Sequence, residues 1–498
     1  MNEASPNRWR TWVCCAVPVL ALIHGIWFLG TGPVDDDYII YRYARHLVQG
    51  HGLVFNVGER IEGYTAPLWV LLHAGWQALG GDSPGFSVGA GLVGWIAAVA
   101  WLSRRAWKQG FWPWEALVVA AAPALAWHAV AGLGTTLAGL CLLGAWFRFA
   151  EAPWQSGLWL ALAVGLRQEF ALFLVPIVLG YGWRARLSVW VPAAACLGAW
   201  QIFRLAYYGR WLPTTYTTKK LPVVEDLGYG VQYLYDATWN LGWPMLLALA
   251  VWGAWTSGGR AAKAFAAGLV LHTAYVIWVG GDFMVLSRFF VPTFPLLVAL
   301  AWIPLREHRR WAALTAVCLA LAMQWSQIGV AWTAAGVPEE ARSVRRLQQL
   351  GFKQRWARLG EHFHRLAGPD TKVALSPIGA FGWTSDLPIV DILGLTNAST
   401  EGVAPDLDTH VKGHHRSNVA WVLDQNPDYV ILGNGVRDQA GRFIICPWEK
   451  GFFESIQSGG RFPKLYRQAS MDVGDGMPLD VFIRRDLELP TATQWVGP

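Results

Sequence analysis

Apolar runs of membrane-spanning length recur along the first two thirds of the chain, and then the pattern stops. A helix needs about 20 apolar residues to cross a bilayer. On that criterion the runs predict spans near 11–31, 84–103, 113–131, 134–150, 157–166, 170–183, 187–206, 239–255, 262–279, 288–304 and 311–332. The fifth and sixth are short for full spans. The stretch 66–80 (APLWVLLHAGWQALG) is also too short, and counting it would invert every later loop. It is expected to form a juxtamembrane or re-entrant helix on the outer face. Beyond residue 332 a basic, helical-looking segment (ARSVRRLQQLGFKQRWARLGEHFHRL) leads into short apolar strands with turn signals: KVALSPIGAFGW, LPIVDILGL, PDYVILGN and DVFIRR. Strands interleaved with helical stretches read as a small α/β domain. The expected fold is an α-helical polytopic membrane protein of about 11 transmembrane helices over 1–332, with an outer loop at 32–83, and a C-terminal extracytoplasmic α/β domain over 333–498. No repeat or low-complexity linker interrupts this plan.

Charge orders the loops. With the N-terminus in the cytoplasm, Arg8/Arg10, Arg104/Arg105/Lys108, Arg148, Arg184/Arg186, Arg260/Lys263 and Arg306/Arg309/Arg310 fall on one side. Asp35–Asp37, Glu59, Glu62, Glu169, Glu225, Asp226 and Asp282 fall on the other. That separation is the positive-inside pattern, and it places the tail on the extracytoplasmic side of the membrane. Only 15% of the 498 residues are charged, against roughly 25% in soluble domains. The net charge of +6 lies in short clusters between apolar runs, which set topology and argue against nucleic-acid binding. The first run follows Arg8 and Arg10 as a signal peptide would, but it lacks a small-x-small cleavage site and reads as an uncleaved first helix. The 32 tryptophans cluster near the ends of apolar runs, where amphipathic rings favour the headgroup layer. Five of the six cysteines lie in apolar segments and only Cys446 lies in the tail. The tail therefore has neither a disulfide framework nor a CxxC metal site.

The first outer loop, Val34 to Thr65, reads VDDDYIIYRYARHLVQGHGLVFNVGERIEGYT. Three consecutive carboxylates beside a membrane must be hydrated, paired or bound to a cation. A short interfacial helix would align Asp37, Tyr41 and Arg45 on one stripe, and a solvated helix N-terminus is the plainer alternative. Glu62-Gly63-Tyr64-Thr65, Glu169 beside Arg167, and Asp282 after Gly280-Gly281 bring further charge to the same face.

These residues carry a resemblance. The run DDDYIIYRYA…GHGLVFNVGERIEGYT…LW is similar to the first-loop motif of bacterial membrane arabinofuranosyltransferases, GT-C enzymes that take a sugar from a polyprenyl-phosphate donor. The family includes terminal arabinofuranosyltransferases of cell-wall arabinan and a pilin arabinosyltransferase. LRQEF (166–170), FRLAYYGRWLPTTYTTK (203–219), GGDFMVLSRFFVP (280–292), SPIGAFGW (376–383), VDILGLTN (390–397) and KGHH (412–415) extend the match in order over most of the chain.

The resemblance implies roles. Asp35 or Asp36 is the candidate base that deprotonates the acceptor hydroxyl, and near-adjacent carboxylates would raise one pKa. Asp37 stands where the family more often has a small residue. Arg42, Arg167, Arg204, Lys219 and Arg288 are candidates to hold the lipid phosphate, with headgroup contacts or structural ion pairs as the alternative. Glu62, Tyr64, Glu169 and Asp282 accompany them as substrate-binding candidates. Tyr207, Tyr208 and Tyr216 would stack on a sugar or anchor a loop. His414 and His415, near Asp408 and His410, read as a loop over the active-site mouth or as a plain solvated loop; they are a weak metal signal, and a divalent cation stays open as a cofactor. One departure stands out: Gly134 replaces a glutamate that the family carries at a helix start, so no catalytic role is carried onto that helix.

The implied function is transfer of a furanose, arabinofuranose by resemblance, from a polyprenyl-phosphate sugar donor to an extracytoplasmic glycan or protein acceptor, with membrane lipid as the surrounding partner. A hexosyltransferase such as a mannosyltransferase is the alternative within the class. A lipid-linked-sugar transporter is the alternative outside it, but that would place charge within the spans and duplicate the chain. A receptor or assembly protein would leave the Asp35/Asp36 loop unexplained. No G-x-x-x-x-G-K-[ST] phosphate loop is present, which fits a donor linked to lipid and not to nucleotide.

Overall fold

The computed structural model describes residues 8–28, 32–256, 258–328, 331–332, 338–339, 342–409, 411–433, 446–471, 479–488 and 493–495. Helices dominate the first two thirds: α1 (Arg8–Phe28), α2 (Asp35–Val48), α3 (Pro67–Ala78), α4 (Ser83–Lys108), α5 (Trp114–Ala121), α6 (Pro123–Val130), α7 (Thr135–Arg148) and α8 (Pro153–Leu166). A 3-10 turn over Gln168–Phe173 then runs into α9 (Leu174–Tyr181) and α10 (Leu187–Tyr208). After these come α11 (Thr214–Lys219), α12 (Val223–Leu241), α13 (Trp243–Thr256), α14 (Arg260–Trp278), α15 (Phe294–Ala301) and α16 (Arg309–Ile328). Among the described residues α1, α4, α10 and α14 are long and apolar enough to cross a membrane, and α6 with α7 makes a fifth if that bent pair is one span.

The other apolar runs are helical too, and some are broken for local reasons. Proline at 123 has no N–H to give and splits 113–131 into α5 and α6. The turn Gly132-Leu133-Gly134 has positive φ at all three residues and sets α6 and α7 at 116°. Residues 223–241, which hydropathy does not mark as a span, form α12 and continue into α13 through Gly242. Glu225, Asp226 and Asp236 lower the mean hydropathy there, yet Val224, Leu227, Val231 and Tyr235 present an exposed apolar stripe at helical spacing. The helix expected at 66–80 is present as α3. Tryptophan serves the core as well as the ends. Trp9, Trp27 and Trp325 are exposed, whereas Trp69, Trp95 and Trp243 are fully buried, each with its indole N–H bonded, to Asp37, Val119 O and Thr273 respectively. Such a partner offsets the cost of burying an indole N–H.

A two-residue antiparallel pair, β1 (Ala331–Trp332) with β2 (Pro338–Glu339), precedes the tail helix α17 (Arg342–Leu366). The tail then alternates strands and helices: β3 (Val373–Leu375), α18 (Ile378–Ser385), β4 (Ile389–Asp391), α19 (Val419–Asp424), β5 (Tyr429–Val430), α20 (Lys450–Gln457), α21 (Arg461–Leu465), β6 (Tyr466–Met471), β7 (Leu479–Arg484) and β8 (Thr493–Trp495). They build one sheet in the order β4-β3-β5-β7-β6-β8. β3 is parallel to β4 and β5, and the remaining pairs are antiparallel. Val373, Ala374 and Leu375 are buried consecutively, as a strand covered on both faces requires.

The tail is locked to the first loop. Arg42 is buried and donates to Phe55 O at 2.7 Å, Leu387 O at 2.7 Å and Gly382 O. Asn56 donates to Ile389 O at 2.7 Å and accepts from Ile389 N at 3.1 Å. Arg45 lies 3.4 Å over the Trp383 ring and reaches Asp386 at 3.3 Å. Apart from the local bond to Phe55, each of these contacts joins residues more than three hundred positions apart, so α2 and the tail form one platform at the site end of the bundle.

Candidate active site

Three consecutive carboxylates at the start of α2 point three ways, because successive helical residues are turned by about 100°. Asp35 faces the tail and accepts from Gly379 N at 3.0 Å and Ala380 N at 2.8 Å, at the first turn of α18. Asp37 faces the bundle and is fully buried, accepting from Tyr41 at 2.6 Å, Trp69 at 2.9 Å and Ser87. Burial raises its pKa despite those donors, through desolvation and not through its neighbours' charge. Asp36 alone of the three lines a cleft, where it makes no hydrogen bond or ion pair with another described residue.

The Asp37 network also holds the 131–135 turn. A Cβ on Gly132 would come 2.0 Å from Asp37 Oδ2, at φ +90°. Gly132→Ala is therefore expected to cost at least about 2 kcal/mol, read as a lower unfolding temperature in detergent. Unfolding at the wild-type temperature would show that Asp37 does not fix this turn.

The cleft has a volume of about 190 Å³ and gathers residues from α2, the 63–66 and 167–169 loops, α11, the end of α14, the 279–289 loop and the tail. Of the sequence candidates, Asp36, Tyr64, Arg167, Glu169, Tyr216, Lys219, Asp282 and Arg288 line it. Arg167 pairs with Glu169 at 2.6 Å, and Arg288 with Asp282 at 2.5 Å. Gly280 and Gly281, both at positive φ, make the turn that presents Asp282. A Cβ at Gly280 would meet the Lys412 side chain at 2.8 Å. Lys219 extends Nζ to 5.6 Å from the Phe283 ring and has no carboxylate partner among the described residues.

Sequence reasoning missed three cleft residues. Lys412 and Lys220 both pair with the buried Asp226, Lys220 at 2.7 Å, and Tyr275 lines the wall from α14. Lys412 was within sight in KGHH, where the histidines drew attention. Tyr275 sits in an apolar helix with no signal of its own.

The other candidates lie elsewhere. Arg42 is the clamp described above. Glu62 and Arg204 form an ion pair at 2.5 Å, extended by Trp200 N–H to Glu62 at 3.1 Å and by Arg204 to Gln168 at 2.9 Å and Gln201 at 2.6 Å. Tyr208 bonds Tyr64 at 2.9 Å and donates to Leu53 O at 2.8 Å. His414 is wedged between Phe283 and Trp448; burial, with the Lys219 charge beside it, pushes its pKa down to about 4, so it is neutral at pH 7 and supplies no cation to a phosphate. His415 bonds Asp406 O at 3.0 Å, and burial lowers its pKa too. His410 lies outside the described residues. Among the described residues no three His, Cys, Asp or Glu side chains converge as metal ligands.

A family model described as "Domain of unknown function (DUF8728)" matches residues 342–477, within the tail. The chain is similar to the terminal beta-(1->2)-arabinofuranosyltransferase of Corynebacterium glutamicum, 28% identical over 370 residues that cover 59% of this chain and 51% of that protein. The protein of the same description from Mycobacterium tuberculosis is 28% identical over 408 residues, 68% of this chain and 64% of that protein. The chain thus spans less than two thirds of the length of either relative. The crystal structure of ArnT from Cupriavidus metallidurans bound to undecaprenyl phosphate superposes with a TM-score of 0.54 at 13% identity, covering 96% of this chain and 99% of that one. The chain has the GT-C fold of ArnT, and its sequence resembles the terminal arabinofuranosyltransferases.

Proposed function

We propose that this protein is a multi-pass inner-membrane glycosyltransferase that moves arabinofuranose from a polyprenyl-phosphate donor to an acceptor hydroxyl outside the cytoplasm. The observation that carries the reading is the direction of Asp36: it enters a cleft that also holds Lys219, Lys220, Arg167, Arg288 and Lys412. The relatives' description as arabinofuranosyltransferases and the undecaprenyl phosphate bound to ArnT support arabinofuranose as the sugar and a polyprenyl phosphate as the carrier. In the reaction the acceptor oxygen attacks the anomeric carbon and its proton passes to the Asp36 carboxylate. The bond from the anomeric carbon to the phosphate oxygen breaks, and its electron pair leaves with the lipid phosphate. Cations close to that oxygen stabilise the charge as it develops. In this reading the basic ends of about 11 spans face the cytoplasm, and the cleft, α2 and the tail face outward.

Transfer is tested with synthetic polyprenyl-phosphoryl arabinofuranose and a panel of glycan and protein acceptors. Lys219→Gln, which removes a cation without stranding a carboxylate, is expected to raise the donor KM about tenfold, the worth of one charged hydrogen bond. Consumption of a hexose donor in place of arabinofuranose would keep the transferase and change its sugar. Turnover of neither donor, with Asp36 variants behaving as wild type, would remove the enzymatic reading.

A further inference from the structure

A second cavity lies at the far end of the helix bundle. From Ser87, bonded to Asp37 beside the cleft, to Arg105 the helix α4 rises roughly 27 Å at about 1.5 Å per residue. That distance approaches the roughly 30 Å of a bilayer's hydrocarbon core. The ends of α4 and α7, the start of α14 and the segment after α15 enclose about 540 Å³ there, lined by Arg104, Arg105, Lys108, Arg148 and Arg306 with Trp101, Trp146 and Phe147. Glu151 is the one carboxylate on that wall among the described residues.

Charges that only set topology need no more than a wet loop. These are held differently. Arg105 is half-buried, with its guanidinium 4.7 Å from the Trp146 ring and 4.4 Å from Phe147. Arg148 stands 5.7 Å from Trp101 and 3.8 Å from Glu151. The Arg306 side chain is 15% exposed and reaches Glu115 only at 3.5 Å, and its Nε is buried with no hydrogen-bond partner. Five cations thus converge on one roomy cavity, and two carboxylates answer them. The deficit is negative charge, in a cavity whose aromatic wall suits the apolar part of an amphiphile.

We propose that this cavity binds the phosphate of an anionic membrane lipid. Arg105 and Arg306 hold the phosphate oxygens, Arg104 and Lys108 line the cavity beside them, and Trp101, Trp146 and Phe147 receive the glycerol and upper acyl region. Basic pockets between transmembrane helices recognise headgroups in this way. The site is independent of the transfer chemistry at the opposite end.

The test uses the full-length protein in nanodiscs of phosphatidylcholine containing phosphatidylglycerol, released for native mass spectrometry. Wild type is expected to retain phosphatidylglycerol with about thirtyfold enrichment over the bulk mixture, from roughly two favourable charge contacts. Arg105→Gln/Arg306→Gln is expected to lose that enrichment, and millimolar inorganic phosphate is expected to leave it intact. Displacement by inorganic phosphate would overturn the lipid assignment in favour of a free phosphate compound. Wild-type retention of both lipids in their bulk ratio would overturn the proposal outright, whether or not the double variant folds.

Discussion

Asp36→Asn is expected to lower kcat for sugar transfer by about 10²–10⁴-fold, the usual contribution of a positioned general base, with little change in donor affinity. Asparagine keeps the shape of the side chain and removes its ability to take a proton. The neighbours supply the controls, because the same chemistry at adjacent positions meets different surroundings. Asp35→Ala removes the acceptor for Gly379 N and Ala380 N and is expected to cost about 1 kcal/mol of stability while leaving the proton acceptor in place. Asp37→Ala strips three donors of their partner in the core and is expected to impair folding before catalysis. Transfer is measured on protein of matched folded fraction, with donor binding followed separately. An Asp36→Asn enzyme with wild-type kcat, beside an inactive but folded Asp35 variant, would move the base to Asp35 and require the tail to open during turnover.

That contrast also marks how far the sequence could be read. Apolar length located most of the helical segments, and charge asymmetry picked out loop residues, Asp36, Glu169 and Asp282 among them, that line one cleft. Both are one-dimensional properties, and the membrane enforces them residue by residue. Broken helices were harder to see, because α12 hides an exposed apolar stripe behind three acidic residues, and Gly242 looks like any other turn. The site was legible as a set of motifs and only partly as a geometry. Arg42 and Arg288 both lie in motifs rich in charge, yet one clamps Gly382 and Leu387 of the tail while the other pairs with Asp282 in the cleft. The role of Arg42 depends on a contact 340 residues away, and spacing along the chain carries no trace of that. Asp226 shows the converse. It read as an ordinary outer-loop acid, and in the fold it is the buried anchor for two lysines of the cleft.

Arg204 provides the sharpest test of this division between fold and site. Its guanidinium is 3% exposed and the Glu62 side chain facing it is 1% exposed, so the pair has little water to fall back on. Removing one partner of a buried pair leaves the other charge uncompensated and costs about 3–5 kcal/mol, whereas replacing both together is often close to neutral. Arg204→Met is therefore expected to lower the unfolding midpoint sharply, and Glu62→Leu/Arg204→Met is expected to recover most of the loss. The double variant should bind the polyprenyl-phosphate donor with unchanged KM, because neither side chain lines the cleft. Thermal unfolding in detergent, with donor kinetics on the surviving protein, decides between the two roles. If Arg204→Met kept wild-type stability and lost donor affinity, the arginine would be a phosphate ligand. The Glu62 pair would then be a resting arrangement that the donor displaces.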